Sequence, residues 1–409
     1  MRVQTTFLMA SLLIAGSALA ADSTRTLLPA KASDLVPATL QAGSKGLPGD
    51  VALDHQPSAM SWALDSNAAL DARPVPFIKQ SREYWIDASA DELHLGLNLA
   101  TSANGALIRL SPHADNHGSL DSASLMIKSG GKLHTGGEAF TTVADEEALR
   151  AAGMAVPQGS VVVKLTDAMG SGQLQLLAPG ANGSYLVHVF EPQSAIVLNL
   201  GATRDTVLAG QALLVRASIE GNVRLDRLDG MLSSADGHSQ DFTFVRQGDG
   251  SWLGRVVPDV AHAGGFGLWE IHAFGQVSSG RLSVPRDART AVAVSRASAR
   301  LNGNVQKLAQ NSRGGGITLR VGVQAAVASR YQLAGVLFGT RANGTLAPIA
   351  AAHAANWLEA GNGSIDLPFD AASLSASGIG APYELRDLRL INQADMSLLE
   401  RRERAASGL

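Results

Sequence analysis

One eight-residue pattern occurs twice in the sequence and constrains the fold more than any other feature. The first copy is Gly183-Ser-Tyr185-Leu-Val187-His188-Val-Phe190, and the second is Gly267-Leu-Trp269-Glu-Ile271-His272-Ala-Phe274. In both copies, the apolar residues recur at every second position. This period of two is that of a β-strand whose two faces differ. Each copy follows a turn-rich stretch and precedes another apolar or β-branched run. We interpret the copies as the same strand in two successive β-sandwich domains.

The wider pattern predicts an all-β chain of tandem immunoglobulin-like β-sandwich domains. Short alternating runs separated by Asp-Gly turns give about seven strands in roughly 100 residues around the second copy, the size of an immunoglobulin-like sandwich. We predict a first β-sandwich-like domain over residues 77–195, an immunoglobulin-like domain over 196–296 and a third β-sandwich-like domain over 297–409. One short helix is predicted in the first domain near residues 143–154, where three acidic residues precede an apolar turn.

The N-terminal part of the chain has the composition of an export signal. Residues 1–20 contain Arg2, an apolar run and the small residues Ala18-Leu-Ala20, which predict a secretory signal cleaved after Ala20. We therefore expect an exported protein, periplasmic or extracellular. Residues 21–76 are rich in Ala, Pro, Gly, Ser and Asp, and we interpret them as a lead-in or as an arm that docks on the first domain.

Charge and cysteine content exclude several function classes. The chain has 33 Lys and Arg against 36 Asp and Glu without basic runs, so we predict no nucleic-acid partner. After the signal no apolar run is long enough to cross a bilayer, so we predict no membrane span. Cysteine is absent, which excludes disulfides, thiol nucleophiles and cysteine-ligated metals.

Two local patterns predict how the first domain begins. A strand is expected from Ser81 to Asp87, continuing through the alternating leucines of residues 93–99. Asn104-Gly105 then predicts a hairpin, because Asn-Gly accepts the positive φ of a tight primed turn.

Because the chain has no cysteine, a metal or acid-base site would have to be built around histidine. His113, Asp115 and His117 lie close together in a loop that follows a strand. Residues i and i+4 of an extended segment are about 13 Å apart, so these side chains share an ion only if the loop folds back. A metal site and a polar surface loop both remain open.

The repeat itself offers a second pair of candidates. His188 and His272 occupy equivalent positions, on the strand face opposite Tyr185 and Trp269. They are either a repeated ligand-binding histidine or a shared structural one, hydrogen-bonded to a neighbouring loop. Tyr185 and Trp269 are predicted to lie in the core, because a large aromatic residue anchors the inner face of many sandwiches.

Three sets of residues carry a resemblance to known sequences: Tyr185-Leu-Val-His188-Val-Phe-Glu191-Pro, Arg286-Asp287-Ala-Arg289-Thr-Ala, and Ala355-Asn-Trp357-Leu with Pro382-Tyr383-Glu-Leu-Arg386-Asp387-Leu. They resemble a bacterial family of exported proteins with immunoglobulin-like domains and no assigned function. The resemblance covers most of the chain after the signal. It implies the domain organisation given above and supplies no catalytic residues.

The motifs of nucleophilic and zinc hydrolases are missing from the sequence, and no cofactor is predicted. We therefore expect a non-catalytic binding or scaffolding module at the cell envelope, with an unknown protein or a cell-surface polymer as its partner. The alternative is an exported hydrolase acting on polysaccharide or peptide, with a site between the first two domains. A third possibility is an accessory factor for a secreted enzyme or surface polymer.

Overall fold

The structure is a computed structural model that describes residues 23–43, 52–71, 75–114, 116, 120–308 and 315–409. The predicted signal at residues 1–20 lies outside these residues, as do Asp115 and His117. Strands account for most of the regular structure. In chain order they are β1 (Ser23–Thr26), β2 (Ser58–Ala63), β3 (Lys79–Ser81), β4 (Glu83–Ser89), β5 (Leu97–Thr101), β6 (Leu107–Pro112), β7 (Met126–Ser129), β8 (Lys132–Thr135), β9 (Phe140–Ala144), β10 (Val161–Leu165), β11 (Gly172–Leu177), β12 (Ser184–Phe190), β13 (Val197–Ala202), β14 (Thr206–Leu208), β15 (Leu213–Glu220), β16 (Arg224–Ser233), β17 (Ser239–Arg246), β18 (Trp252–Val256), β19 (Trp269–Ser279), β20 (Leu282–Ser295), β21 (Ala299–Lys307), β22 (Ile317–Ala325), β23 (Ser329–Thr340), β24 (Leu346–Leu358), β25 (Gly361–Phe369), β26 (Gly380–Asn392) and β27 (Ser397–Ser407).

The helices are few and short. They are α1 (Ala90–Leu95), α2 (Gly136–Ala139), α3 (Glu146–Ala151) and α4 (Ala371–Ser377). Within the described residues, no helix is both long and apolar enough to span a membrane. The predicted all-β class is therefore confirmed, and the predicted helix is found as α3, capped by the Asp145 side chain. Two further helices, α1 and α2, lie in the same part of the chain.

The first hydrophobic core lies between two groups of strands. One group is β4, β12, β6, β10 and β9, and the other is the separate sheet β5-β11-β7-β8. Asn104-Gly105 turns the chain from one sheet to the other, because β5 pairs with β11 and β6 pairs with β10 and β12. The predicted hairpin at this turn is therefore wrong. The predicted strand over residues 93–99 is also interrupted, since α1 occupies Ala90–Leu95.

The second core is enclosed by a sheet that folds back on itself. Fourteen strands of the described chain form this sheet, in the order β3-β13-β15-β18-β17-β16-β19-β20-β4-β12-β6-β10-β9 with β14 beside β20. The sheet turns at β17, which pairs with β16 through one part of its length and with β18 through another. Apolar side chains from both halves then face each other. Strand β3, which the sequence assigns to the first domain, pairs with β13 beside this second core.

The third core lies between the sheets β1-β21-β22-β25 and β2-β24-β23-β26-β27, whose apolar side chains form one cluster. The N-terminal segment contributes an edge strand to each sheet: Ser23–Thr26 pairs with β21, and Ser58–Ala63 pairs with β24. Arg330 fixes the segment further by donating to the backbone oxygens of Asp54 and Gln56. The segment is therefore an arm, but it pairs with the third core and not with the first.

Candidate functional site

The two copies of the repeat lie on either side of a junction between the first and second cores. The first copy is β12, which pairs with β4, and the second forms most of β19, which pairs with β20. Strands β4 and β20 are neighbours through the residue pair Glu83 and Asp287. The local strand order is therefore β12-β4-β20-β19, and the same pattern approaches the junction from both directions.

Each repeat histidine lies next to a carboxylate of the junction pair. His188 Nε2 is 2.9 Å from the Glu83 carboxylate, and His272 Nε2 is 3.5 Å from the Asp287 carboxylate. The correspondence follows from register, because Phe190 is opposite Glu83 and Phe274 is opposite Asp287. All four side chains are mostly buried, with 8 to 18% of each exposed.

Trp85 connects the two histidines. Its ring stacks on the His188 ring at 4.8 Å with an interplanar angle of 8°, and the His272 ring meets it edge-on at 5.9 Å. The Arg289 guanidinium lies over the same indole, 4.2 Å from its centre. We call Glu83, Trp85, His188, His272, Asp287 and Arg289 the junction face. A cation over indole and an imidazole stacked on it each add attraction beyond simple burial.

Electrostatics fix the protonation of one member of this face. Burial opposes ionisation of the Glu83 carboxyl, but its hydrogen bond to His188 and the positive charges of His188 and Lys79 outweigh that cost. The pKa of Glu83 is therefore below its ordinary value, and the side chain is a carboxylate at neutral pH.

A buried ion pair lies beside the junction face. Arg286 Nη2 is 2.5 Å from the Glu191 carboxylate, and neither side chain has any exposed surface. Arg286 also donates to the hydroxyls of Ser102 and Ser194, at 2.7 and 2.9 Å. The Glu191 carboxylate accepts further from the backbone amides of Ser102 and Ala103. Residues from both sides of the junction thus satisfy the buried charges, which is the condition for a buried pair to be tolerated.

A groove of about 610 Å³ opens beside the junction face, between β4 and the strands β16, β19 and β20. Its walls combine rings and polar side chains. Among them are Trp85, Asp226, Arg227, Asp229, Met231, His272, Phe274, Gln276 and Asp287.

The groove owes part of its shape to a bulge in β16. The pairing of β16 with β19 shifts register between Leu225 and Leu228, so Asp226 and Arg227 leave the ladder and contribute to the groove wall. Gly275 lies opposite the bulge, where a Cβ atom would come within 2.6 Å of the Arg227 carbonyl oxygen. Only a glycine allows this close approach of the two backbones.

Three buried nitrogens on this side of the sheet have no hydrogen-bond partner within the described part of the chain. They are Nε of Arg109, Nε2 of His272 and Nε of Arg289. His272 and Arg289 are on the adjacent strands β19 and β20, whereas Arg109 is on β6, opposite His188 in the ladder. The His272 nitrogen is too far from Asp287 for a good hydrogen bond. A buried donor without an acceptor is costly, so His272, which also lines the groove, favours a bound group that carries acceptor oxygens.

The structure separates the other sequence candidates from this site. Tyr185 is fully buried in the first core, and Trp269 is buried in the second. His113 contacts the Asp87 carboxylate at 3.0 Å on an exposed stretch of β4. The other two members of its predicted cluster, Asp115 and His117, lie outside the described residues.

Sequence reasoning identified the two histidines but missed their surroundings. Trp85 stands in a predicted strand without any special signal, and Glu83 is two residues before it. Asp287 and Arg289 belong to the segment Arg286-Asp287-Ala-Arg289-Thr-Ala, which carries the family resemblance but no signal for a site. Their common relation is visible only in the structure: in each copy, the partner strand places a carboxylate opposite the residue two positions after the histidine.

Comparison with known proteins places this architecture in a family. Residues 50–191 match the model of the N-terminal domain, and residues 298–407 the model of the C-terminal domain, of the domain of unknown function DUF4785. Together the two models match more than half of the chain. A search of curated proteins finds none that matches.

Solved structures agree at the level of the fold. A DUF4785 family protein from Legionella pneumophila is 20% identical with a TM-score of 0.72, over 91% of this chain and 99% of that one. Alpha-2-macroglobulin from Escherichia coli is 11% identical over 75% of this chain and 20% of its own, with a TM-score of 0.28 that is too low for structural argument. From the two family models and the shared fold, we conclude that the chain belongs to the DUF4785 family.

Proposed function

We propose that the protein is an exported, non-catalytic binding protein of the cell envelope. Its ligand is a cell-surface polymer, rich in hydroxyl or anionic oxygens, that lies in the groove at the junction face. The export part of the proposal is supported by the signal-like residues 1–20. The binding part is supported by the groove and its chemistry.

The observation that carries the proposal is the groove wall, where His272, whose buried Nε2 has no hydrogen-bond partner among the described residues, lies beside the partly exposed Phe274 ring. A polymer with many oxygens would supply an acceptor to His272 and to the polar side chains of the groove wall. The partly exposed ring of Phe274 and the amide of Gln276 border the same groove, and a ring with nearby planar polar groups suits a sugar unit.

The groove carboxylates favour binding over catalysis. Asp229 pairs with Arg227 at 2.7 Å, and Asp226 pairs with Arg224 at 2.8 Å. Asp287 accepts a hydrogen bond from the Trp85 backbone amide. Each carboxylate is thus held by a cation or an amide, whereas a general acid of a glycosidase needs an apolar environment that keeps it protonated.

The repeat provides a matched pair of variants for testing the proposal. Phe190 and Phe274 occupy equivalent positions and each is 37% exposed, but only Phe274 borders the groove. We expect Phe274→Ala to weaken binding to the polymer by about tenfold or more, the range of a lost aromatic anchor, while Phe190→Ala binds as the wild type does. The measurement is binding of the three proteins to an array of bacterial envelope polysaccharides.

Equal binding by the two variants would contradict the placement of the ligand. Failure of the wild type to bind any polysaccharide on the array would contradict the proposed ligand class. Release of new reducing ends during incubation would instead support the alternative, an exported hydrolase acting on polysaccharide.

A further inference from the structure

We propose that the second sandwich holds a divalent transition-metal ion, of the Zn²⁺ type, through His238, Asp259 and His262. The site is formed by loops, whereas the ligand groove is formed by strands, and the inference does not depend on the function proposed above.

The three side chains come from two loops that meet at one end of the sandwich. His238 belongs to the turn between β16 and β17, and Asp259 and His262 belong to the connection between β18 and β19. The two imidazole rings are parallel, with an interplanar angle of 4° and 3.9 Å between centres. One ligand atom from each of the three residues lies within 4.8 Å of the others.

Both loops are fixed by hydrogen bonds that do not use the proposed ligand atoms. The Ser234 hydroxyl accepts from the His238 backbone amide at 3.1 Å. Arg296 donates to the backbone oxygens of Val260 and Ala263, each at 2.9 Å. The side chains therefore project from backbones that are already ordered, which lowers the entropic cost of binding an ion.

Each ligand keeps an atom for the ion. One oxygen of Asp259 accepts from the backbone amide of Ala261 at 2.8 Å, and its second oxygen can reach a metal. Nδ1 of His262 is 3.2 Å from the Asp236 carboxylate, which leaves Nε2 as the coordinating nitrogen. A carboxylate that orients a histidine in this way is the usual outer partner of a metal-bound imidazole.

The donor set selects the type of metal. Two imidazole nitrogens and one carboxylate oxygen suit Zn²⁺ and similar ions, whereas Ca²⁺ and Mg²⁺ prefer oxygen ligands alone. Tetrahedral zinc with nitrogens at about 2.0 to 2.1 Å requires them about 3.3 Å apart, so rotation of the two histidine side chains would complete the geometry. The fourth position would hold water. In this cysteine-free chain, such an ion would tie the two loops together.

The test is a titration of the full chain, purified without a polyhistidine tag, with ZnCl₂. Isothermal calorimetry should show one high-affinity ion per chain that Ca²⁺ does not displace, and the ion should raise the melting temperature because it binds only the folded state. His262→Ala and His238→Ala should each abolish this binding and the thermal shift. Asp236→Asn should weaken binding by about 10- to 100-fold, the usual effect of losing an outer carboxylate.

His113→Ala is the control variant, because His113 belongs to the other histidine cluster. It should bind the ion with unchanged affinity and stoichiometry. The proposal is overturned if the wild-type chain takes up no zinc ion, or if the His238 and His262 variants retain it. Loss of binding in the His113 variant would overturn it too, since the ion would then lie at the first cluster. Circular dichroism spectra that match the wild type ensure that each loss reflects the ligand and not the fold.

Discussion

At the scale of single residues, the junction depends on charges that are buried together. Glu191 follows β12, which carries the first copy of the repeat, and Arg286 lies in β20, which pairs with the second copy, so their contact connects the two sides of the junction. A buried pair contributes little net stability when intact, but removal of one partner leaves the other charge without compensation in a medium of low dielectric constant.

We therefore expect Arg286→Met to lower the free energy of unfolding by about 3 to 5 kcal/mol. The measurement is urea unfolding followed by tryptophan fluorescence, since Trp85 and Trp269 lie on the two sides of the junction. The double variant Glu191→Leu with Arg286→Met should recover part of the loss, because no buried charge is left. If the double variant loses as much free energy of unfolding as the two single variants lose together, the uncompensated buried charge is not the cause of the loss.

The Glu83 carboxylate gives the junction face a pH dependence. Its pKa is lower in the folded protein than its ordinary value of 4.5, so the folded state binds a proton more weakly than the unfolded state. The resulting stability is present above about pH 4.5 and is lost as the pH falls through the folded pKa.

The matched variant is Glu83→Gln, which keeps the shape and removes the charge. We expect it to be less stable than the wild type near pH 6, and the difference to shrink as the pH falls below about 4.5. Thermal unfolding of both proteins across this range provides the measurement, with Glu138→Gln on the exposed surface as the control. A difference that does not change with pH would mean that the charge has no part in it.

Of the six members of the junction face, the sequence singled out only His188 and His272 as candidates. Strand alternation placed His188 and His272 on the face opposite Tyr185 and Trp269, and the two aromatic side chains are buried. That the histidines meet through Trp85 depends on β4 and β20 being neighbours, and within the described chain their backbone ladder consists of the single pair Glu83 and Asp287. A single long-range pairing leaves no local pattern in the sequence.

At the scale of elements, α1 shows why a periodic pattern can mislead. The leucines of residues 93–99 alternate as in a strand, yet Ser89 and Glu92 form a capping box that starts a helix at Ala90. In the helix, Leu93 is buried and Leu95 is 83% exposed. The serine and glutamate were visible in the sequence, and the capping signal decided the local structure where the hydrophobic period did not.

The N-terminal arm shows the limit of local signals more strongly. Strands β1 and β2 pair with β21 and β24, which lie hundreds of residues further along the chain. Turn chemistry and alternation describe neighbours in sequence and carry no information about such partners. The second core, by contrast, is built mostly from consecutive strands with clear turns between them, which is the local pattern behind the prediction of about seven strands there.

We expect deletion of residues 21–66 to destabilise the third core while the first two cores remain folded. The deletion uncovers the edges of β21 and β24 and removes the backbone groups that Arg330 binds. Amide hydrogen exchange should show lost protection in β24 and unchanged protection in β12, with removal of residues 1–20 alone as the control. Unchanged exchange in β24 would contradict the pairing of the arm with the third core.

At the scale of the whole molecule, the first two cores share one sheet. Strands β20 and β4 continue the hydrogen-bonded path from the second core into the first, and Val284 of β20 packs into the first core. The N-terminal segment connects the second and third cores. Its strands pair with the third core, and on the side of the second core Arg204 donates to the backbone oxygen of Asp34 and Gln211 donates to that of Val36. Such continuity suits a protein that presents a fixed binding surface, because little has to be ordered when the ligand arrives.

The most direct test of the junction face is histidine NMR. We would label the histidine rings of the full chain and record their resonances while adding the polysaccharide that binds best on the array. His188 and His272 should shift together and saturate together, while His94 and His353, which contact other parts of the fold, stay unchanged. Shifts confined to other histidines, or saturable binding that leaves His188 and His272 unaffected, would contradict the account.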